Sequence, residues 1–154
     1  VDRVGHEMSQ DLARPAWMED RLGEAIMRLT TRIGDANFTA LAKAATLAGQ
    51  WRAFQELLAC SDFFGEQVAR QHKWLCSALA DGTLLESRDW MAQDWDRALY
   101  ALLSPTQSEQ EALAALRIFR HREMVRILWR DHAQLASVEE AFEALSQLAD
   151  CCIR

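Results

Sequence analysis

Little in this sequence breaks a helix: 154 residues include only two prolines and six glycines. That scarcity, with half the residues hydrophobic, favours helix on composition alone. Positive charge is also short, 17 Lys and Arg against 23 Asp and Glu, for a net charge of −6 and a pI near 5.2. Such a chain lacks the basic surface that counterion release requires, which argues against a general nucleic-acid or anionic-membrane binder. Apolar runs are brief too. None approaches the roughly 18 to 20 residues needed to span a bilayer, and the N-terminal stretch carries charges of both signs where a signal peptide would have an apolar core.

Cysteines are few, at positions 60, 76, 151 and 152, with no C-x-x-C spacing; the adjacent pair cannot readily bridge to itself or close a tetrahedral metal site. They read as reduced thiols of a cytoplasmic protein, with Cys60 and Cys76 in the core. His6, His72, His121 and His132 are dispersed, without the Glu-x-x-His or His-x-x-x-His spacing of a metal site. No catalytic, cofactor-binding or metal-binding residue is therefore assigned to this chain. It starts at Val1, not Met, and stops at Arg154 inside a helical run, so it is expected to be part of a longer polypeptide.

What the sequence has in quantity is helical periodicity. Residues 1–14 are polar and aperiodic and are expected to be poorly ordered. After Pro15, Leu22, Ile26, Leu29 and Ile33 recur at steps of four and three, the mark of an amphipathic helix. Gly34 to Asn37 ends it and leads into a second, with Phe38, Leu41, Ala45 and Ala48 on one stripe. Gly49 is a kink or break, after which Trp51, Phe54 and Leu58 resume the apolar face. Ser61 caps the next helix, with a joint near Gln71, and Asp81-Gly82 ends it. Ser87 is expected to start a helix with Met91, Trp95, Ala98 and Leu102 on one face, broken at Ser104-Pro105. Thr106 with Glu109, and Ser137 with Glu140, have capping-box spacing and open a long helix to about His132 and a last one into Cys152. No Val/Ile/Thr-rich run alternates with period two. The expected fold class is all-α, an irregular bundle of about six helices within residues 1–154 as one helical domain or fragment, part of a larger multidomain chain.

The Trp and Met set (Trp51, Trp74, Trp90, Trp95, Trp129, Met91, Met124) falls at helical spacing and reads as core. Trp90 and Trp95 cannot both face one core from a single helix, since five residues rotate about 140°; one of them is expected to touch a partner or another domain of the longer chain.

The most distinctive stretch runs from Leu116 to Asp131. Leu113, Leu116, Met124 and Ile127 fit a core face, while Arg122, Arg126 and Arg130 recur every fourth residue as a cationic ladder. From 116 to 131 five arginines stand against Glu123 and Asp131, a local excess of three positive charges. Guanidinium pairs bidentately with carboxylate or phosphate. Two readings of the ladder therefore stand: internal pairing, with Asp89, Asp94 and Asp96 as candidate acids, or contact with phosphate or an acidic partner.

The run Leu116-Arg117-Ile118-Phe119-Arg120-His121-Arg122-Glu123-Met124-Val125-Arg126-Ile127 resembles the L-R-x-F-R-x-R-x-M-x-R-I pattern of the bifunctional glutamine synthetase adenylyltransferase/adenylyl-removing family, in the N-terminal helical region preceding its first nucleotidyltransferase domain. Ser137-Val138-Glu139-Glu140 and Leu145 to Asp150 are similar to the family's next helix, and Ser61-Asp62-Phe63 with Trp74-Leu75 to a shorter signature upstream. The likeness covers roughly residues 60 to 154, with residues 106–154 carrying most of it. His121 stands where the family commonly has Arg and Leu128 where a small residue is usual. Residues 1–59 carry no recognised motif.

The resemblance implies a cytoplasmic parent enzyme that adds AMP to a tyrosine of glutamine synthetase and removes it by phosphorolysis, using ATP and Mg²⁺. It implies glutamine synthetase, a nitrogen-signalling regulatory protein and the adjacent nucleotidyltransferase domain as partners, and neither nucleic acid nor membrane. The family's catalytic Gly-rich turn and Ser-Asp-x-Asp are expected beyond residue 154. Ser61-Asp62-Phe63-Phe64 has Phe where the second carboxylate belongs and is expected to be a helix cap. The segment itself is expected to be non-catalytic; the alternative is a stand-alone helical interaction module.

Overall fold

The structure is a computed structural model and describes residues 13–88, 91–103 and 108–153. Among these, seven helices and no strand occur: α1 (Ala16–Ile33), α2 (Asp35–Leu47), α3 (Trp51–Cys60), α4 (Asp62–Ala80), α5 (Ala92–Tyr100), α6 (Glu109–His132) and α7 (Val138–Ile153). None of the described helices is long and apolar enough to cross a membrane.

Local chemistry sets most boundaries. Pro15 precedes α1, where its missing N–H costs nothing, and its carbonyl accepts from the Met18 N–H at 2.9 Å. Gly34 joins α1 to α2 at φ +83°, a conformation that glycine adopts without strain. Gly49, at φ +69°, is a full break, so α2 and α3 are separate and the helix count exceeds the expected six by one. Ser61 caps α4, its Oγ accepting from the Phe64 N–H at 3.1 Å. The expected joint is at Gln71, whose φ −132° and ψ 25° interrupt α4.

Two expected starts move. The apolar face of α5 is Trp95, Ala98 and Leu99; Met91 is its N-cap residue and Leu102 is exposed. Ser87 is therefore not the N-cap of α5, and its Oγ donates to Glu140 Oε1 at 3.4 Å. The capping box of α6 is Ser108 with Glu111, the Glu111 N–H reaching Ser108 Oγ at 3.3 Å and the Ser108 N–H reaching Glu111 Oε2 at 2.8 Å. Glu109, expected as the acid of a box with Thr106, is instead the first residue of the helix. Thr106, the Ser104-Pro105 break and Trp90 lie outside the described residues.

At its far end α6 closes in a Schellman motif: Gln134 takes a left-handed φ of +57°, its N–H bonds the Asp131 carbonyl at 3.0 Å and the Leu135 N–H bonds that of Arg130 at 2.8 Å.

The buried side chains form two clusters. The larger joins α1–α4 with Leu84, Val125 and Trp129. At its centre Trp129, Phe54 and Phe64 pack with ring centroids 5.5 to 6.2 Å apart, and Trp129 Nε1 donates to Gln50 Oε1 at 2.9 Å. The smaller joins α5, α6 and α7 through Trp95, Leu99, Phe119, Ile127, Leu148 and Cys151. Helix α6 thus serves both clusters from different faces, Val125 and Trp129 toward one, Phe119 and Ile127 toward the other. Cys60, expected in the core, is exposed at the last turn of α3, on the side of the helix away from Phe54, Leu57 and Leu58.

Candidate functional site

Because the second half of α6 is packed on two faces, its arginines enter a seam between clusters. Arg126 and Arg130 are each 4% exposed and Arg122 is half-buried at the edge. A guanidinium in such a place must have its donors satisfied, since an uncompensated buried charge is costly.

Each rung meets this differently. Arg122 donates Nε to Gln71 Oε1 at 2.8 Å and lies over the Trp74 ring, 5.2 Å from its centroid, so it reads the joint in α4. Arg126 donates Nε to Glu123 Oε2 at 2.8 Å and a terminal amino group to the Glu86 carbonyl at 3.3 Å. Glu123, itself buried, also accepts from Arg88 at 2.5 Å. Arg130 donates to the carbonyl of Leu85, to that of Leu135 at 2.8 Å and to Glu140 Oε1 at 2.7 Å. The ladder thereby ties the loop at 85–88, the α6–α7 turn and the first turn of α7 to one helix.

The acids that answer the ladder are Glu123, one turn before Arg126, and Glu140 of α7. Asp94 is engaged elsewhere, accepting the Met91 N–H at 3.1 Å and facing Arg97 at 3.3 Å, and Asp89 lies outside the described residues. Glu140 therefore does not complete the expected box with Ser137; Ser137 Oγ accepts the Glu140 N–H at 3.1 Å while the Glu140 carboxylate goes to Arg130. Burial holds Arg126 below the usual arginine range, and Glu123 only partly offsets it. Burial likewise lowers Arg122.

Beside Arg126 and Arg130 lies an open cavity of about 330 Å³, walled also by Arg88, Glu140, Glu143 and Gln147. Its walls carry both cations and carboxylates. Trp95, buried in the smaller cluster, donates Nε1 to Gln147 at 2.7 Å and so braces one wall.

No three His, Cys, Asp or Glu side chains among the described residues come close enough to hold a metal ion. His132 instead contacts Glu56 at 3.0 Å, and His121 packs edge-on against Phe63. Asp62 follows the Ser61 cap as the first residue of α4, with Phe63 after it. No reaction step is assigned to the described residues.

Comparison with known proteins places this helical array. The family model described as "Glutamate-ammonia ligase adenylyltransferase" matches residues 51–154. Proteins named "Bifunctional glutamine synthetase adenylyltransferase/adenylyl-removing enzyme" are similar in sequence: one from Shewanella woodyi is 36% identical over 132 residues, 86% of this chain and 13% of that protein. Another from Nitrosococcus oceani is 32% identical over 139 residues, 90% of this chain and 14% of its own length. The protein from Pseudomonas aeruginosa is 35% identical over 100 residues, 65% of this chain and 10% of its own. The chain thus spans about a seventh of the first two relatives, and the likeness reaches into the first 59 residues, where no motif was legible. No solved structure matches the chain.

Proposed function

The chain belongs to the glutamate-ammonia ligase adenylyltransferase family, and on that premise we propose that it is a non-catalytic helical segment of a bifunctional adenylyltransferase/adenylyl-removing enzyme. The parent protein adds AMP from ATP to a tyrosine of glutamine synthetase, removes it by phosphorolysis with Mg²⁺ present, works in the cytoplasm and answers to a nitrogen-signalling protein. This segment contributes packing: the Arg122–Arg126–Arg130 ladder holds α6, α7 and the 85–88 loop in register, and α7 docks onto an adjacent nucleotidyltransferase domain.

One observation carries the docking. Helix α7 buries Leu148 and Cys151 against α5 and α6, yet it also exposes Val138 (59%), Phe142 (67%), Leu145 (41%) and Ile153 (84%) at steps of four, three and eight. A helix apolar on two faces is built to be covered on both, and contiguous exposed apolar side chains of this size mark an interaction surface. Spanning about a seventh of its relatives leaves abundant partner chain in a parent of their length.

The test has two parts. The purified 154 residues, given ATP, Mg²⁺ and glutamine synthetase, are expected to transfer and remove no AMP; turnover would sink the non-catalytic reading. In the full-length protein, Phe142→Asp is expected to lower both activities at least about tenfold, a cost of about 1.4 kcal/mol in the active arrangement. Undiminished activity in that variant contradicts docking through α7 and favours the second reading that the same stripe supports, a module that binds a separate protein.

A further inference from the structure

A groove apart from the ladder's seam is walled by cations and no carboxylate. It lies between the middle of α4 and the first half of α6, has a volume of about 670 Å³, and is lined by Arg70, Lys73, Arg117, Arg122, His72 and Trp74 among others. Lys73 and Arg117 are exposed, with no ion pair or side-chain hydrogen bond among the described residues. Arg70 has only a long 3.8 Å contact to Glu66, which is bound more closely by Arg32. Arg122 spends Nε on Gln71 and its face on Trp74, and no carboxylate takes its terminal amino groups among the described residues. Both ring nitrogens of His72 are shielded from solvent and lack a hydrogen-bond partner. In a chain of net charge −6, four permanently charged side chains gathered in one concavity are a departure that calls for an anionic partner.

The kind of anion follows from how the cations are held. Only Arg122 is fixed in place; Arg70, Lys73 and Arg117 end in solvent, where each ion pair is worth little and a small anion gathers few of them. A partner that places several negative charges along one chain adds such contacts without losing translational freedom again for each. Exposed Ile118, beside the cations, supplies an apolar contact that a polypeptide can use. A long polyanion fits poorly, because Glu66 on α4 and Glu109 and Glu111 at the start of α6 border the groove in sequence and repel a backbone that overruns it.

We propose that the groove between α4 and α6 docks a short acidic polypeptide segment of a partner, its carboxylates meeting Arg70, Lys73, Arg117 and Arg122 and an apolar side chain meeting Ile118. The assignment stands on this groove alone and does not depend on what covers α7. Burial and then the charges of Arg120, Arg70 and Arg117 hold the His121 imidazole below its ordinary pKa, as expected beside a concentrated positive field.

The probe is a fluorescent peptide of about ten glutamates, added to the full-length protein at low salt and read by anisotropy. Lys73→Glu with Arg117→Glu is expected to weaken binding at least about tenfold, the milder Lys73→Gln with Arg117→Gln several-fold, with circular dichroism and melting unchanged in the milder pair. Four results overturn the proposal: no binding to the unaltered protein; equal binding by the milder pair; displacement of the peptide by tripolyphosphate at similar concentration, which makes the groove a small-anion site; or tighter groove-dependent binding of a single-stranded oligonucleotide.

Discussion

Removing the carboxylate of Glu123 tests the ladder most sharply, because one acid serves two arginines. Glu123 accepts from Arg126 at 2.8 Å and from Arg88 at 2.5 Å; the side chains are 8%, 5% and 18% exposed, so water screens none of them well. In Glu123→Leu, Arg126 stays buried and, among the described residues, keeps the Glu86 carbonyl at 3.3 Å as its remaining acceptor. Stranding a buried charge costs about 3 to 5 kcal/mol. At about 2 to 4 °C per kcal/mol for a chain of this size, the melting temperature is expected to fall by roughly 6 to 20 °C. The reverse deletion, Arg126→Met, leaves Glu123 still held by Arg88 and costs less, about 1 to 2 kcal/mol. Joining the two changes recovers most of the loss, since an apolar pair of similar volume replaces a buried ion pair at little net cost. Thermal unfolding followed by circular dichroism on the three variants gives the cycle. A Glu123→Leu variant that loses less than about 1 kcal/mol, or a double variant no better than the worse single, refutes the reasoning.

Three further outcomes are expected. Gln134→Gly relieves a left-handed φ of +57° at an exposed site, so a gain of about 0.5 to 1 kcal/mol should appear as a melting temperature a few degrees higher. Ser108→Ala removes the α6 cap and should cost about 1 kcal/mol, read in the same melt. The last concerns pH: burial pushes the Glu56 carboxyl up, but hydrogen bonds from Arg52 and His132 and their charges win and hold it below its ordinary 4.5. A depressed carboxylate stabilises above its unfolded pKa and loses that contribution as pH falls through the folded value. Melting temperature should therefore drop between about pH 5 and about pH 3, and by less in Glu56→Gln; an equal drop in both removes Glu56 from the account.

Where one residue's chemistry sets the backbone, the sequence was legible. Ser61 followed by a helix stripe, Gly49 between two stripes and the interruption at Gln71 all appear at the expected places. Ambiguity arose where two residues offered the same chemistry: Thr106 and Ser108 both precede a glutamate by three, and the reciprocal capping bonds form between Ser108 and Glu111. Helix α5 misled because Met91 and Leu102 suit a core by type, whereas the helix is only nine residues long and turns Trp95 and Leu99 inward.

The arginine spacing at 122, 126 and 130 was plain, and the burial of its members was not. A helix packed on two faces has smeared hydrophobic periodicity, so its polar rungs resemble a solvent face. The acids that meet it show why composition could not name them. Glu123 lies in the same run and counts there only as a negative charge, while Glu140 was claimed by a capping pattern that its carboxylate forsakes for Arg130. The left-handed Gln134 gave no signal because glycine or asparagine usually marks that position.

The docking of α7 is the claim on which the functional reading turns, and oxidative footprinting of Phe142 measures it directly. Phe142 is 67% exposed here and should be labelled readily by hydroxyl radicals in the isolated chain. In the full-length protein the account predicts strong protection of Phe142 and Ile153, with Met27 on α1 labelled equally in both. Equal labelling of Phe142 in the two forms would contradict it.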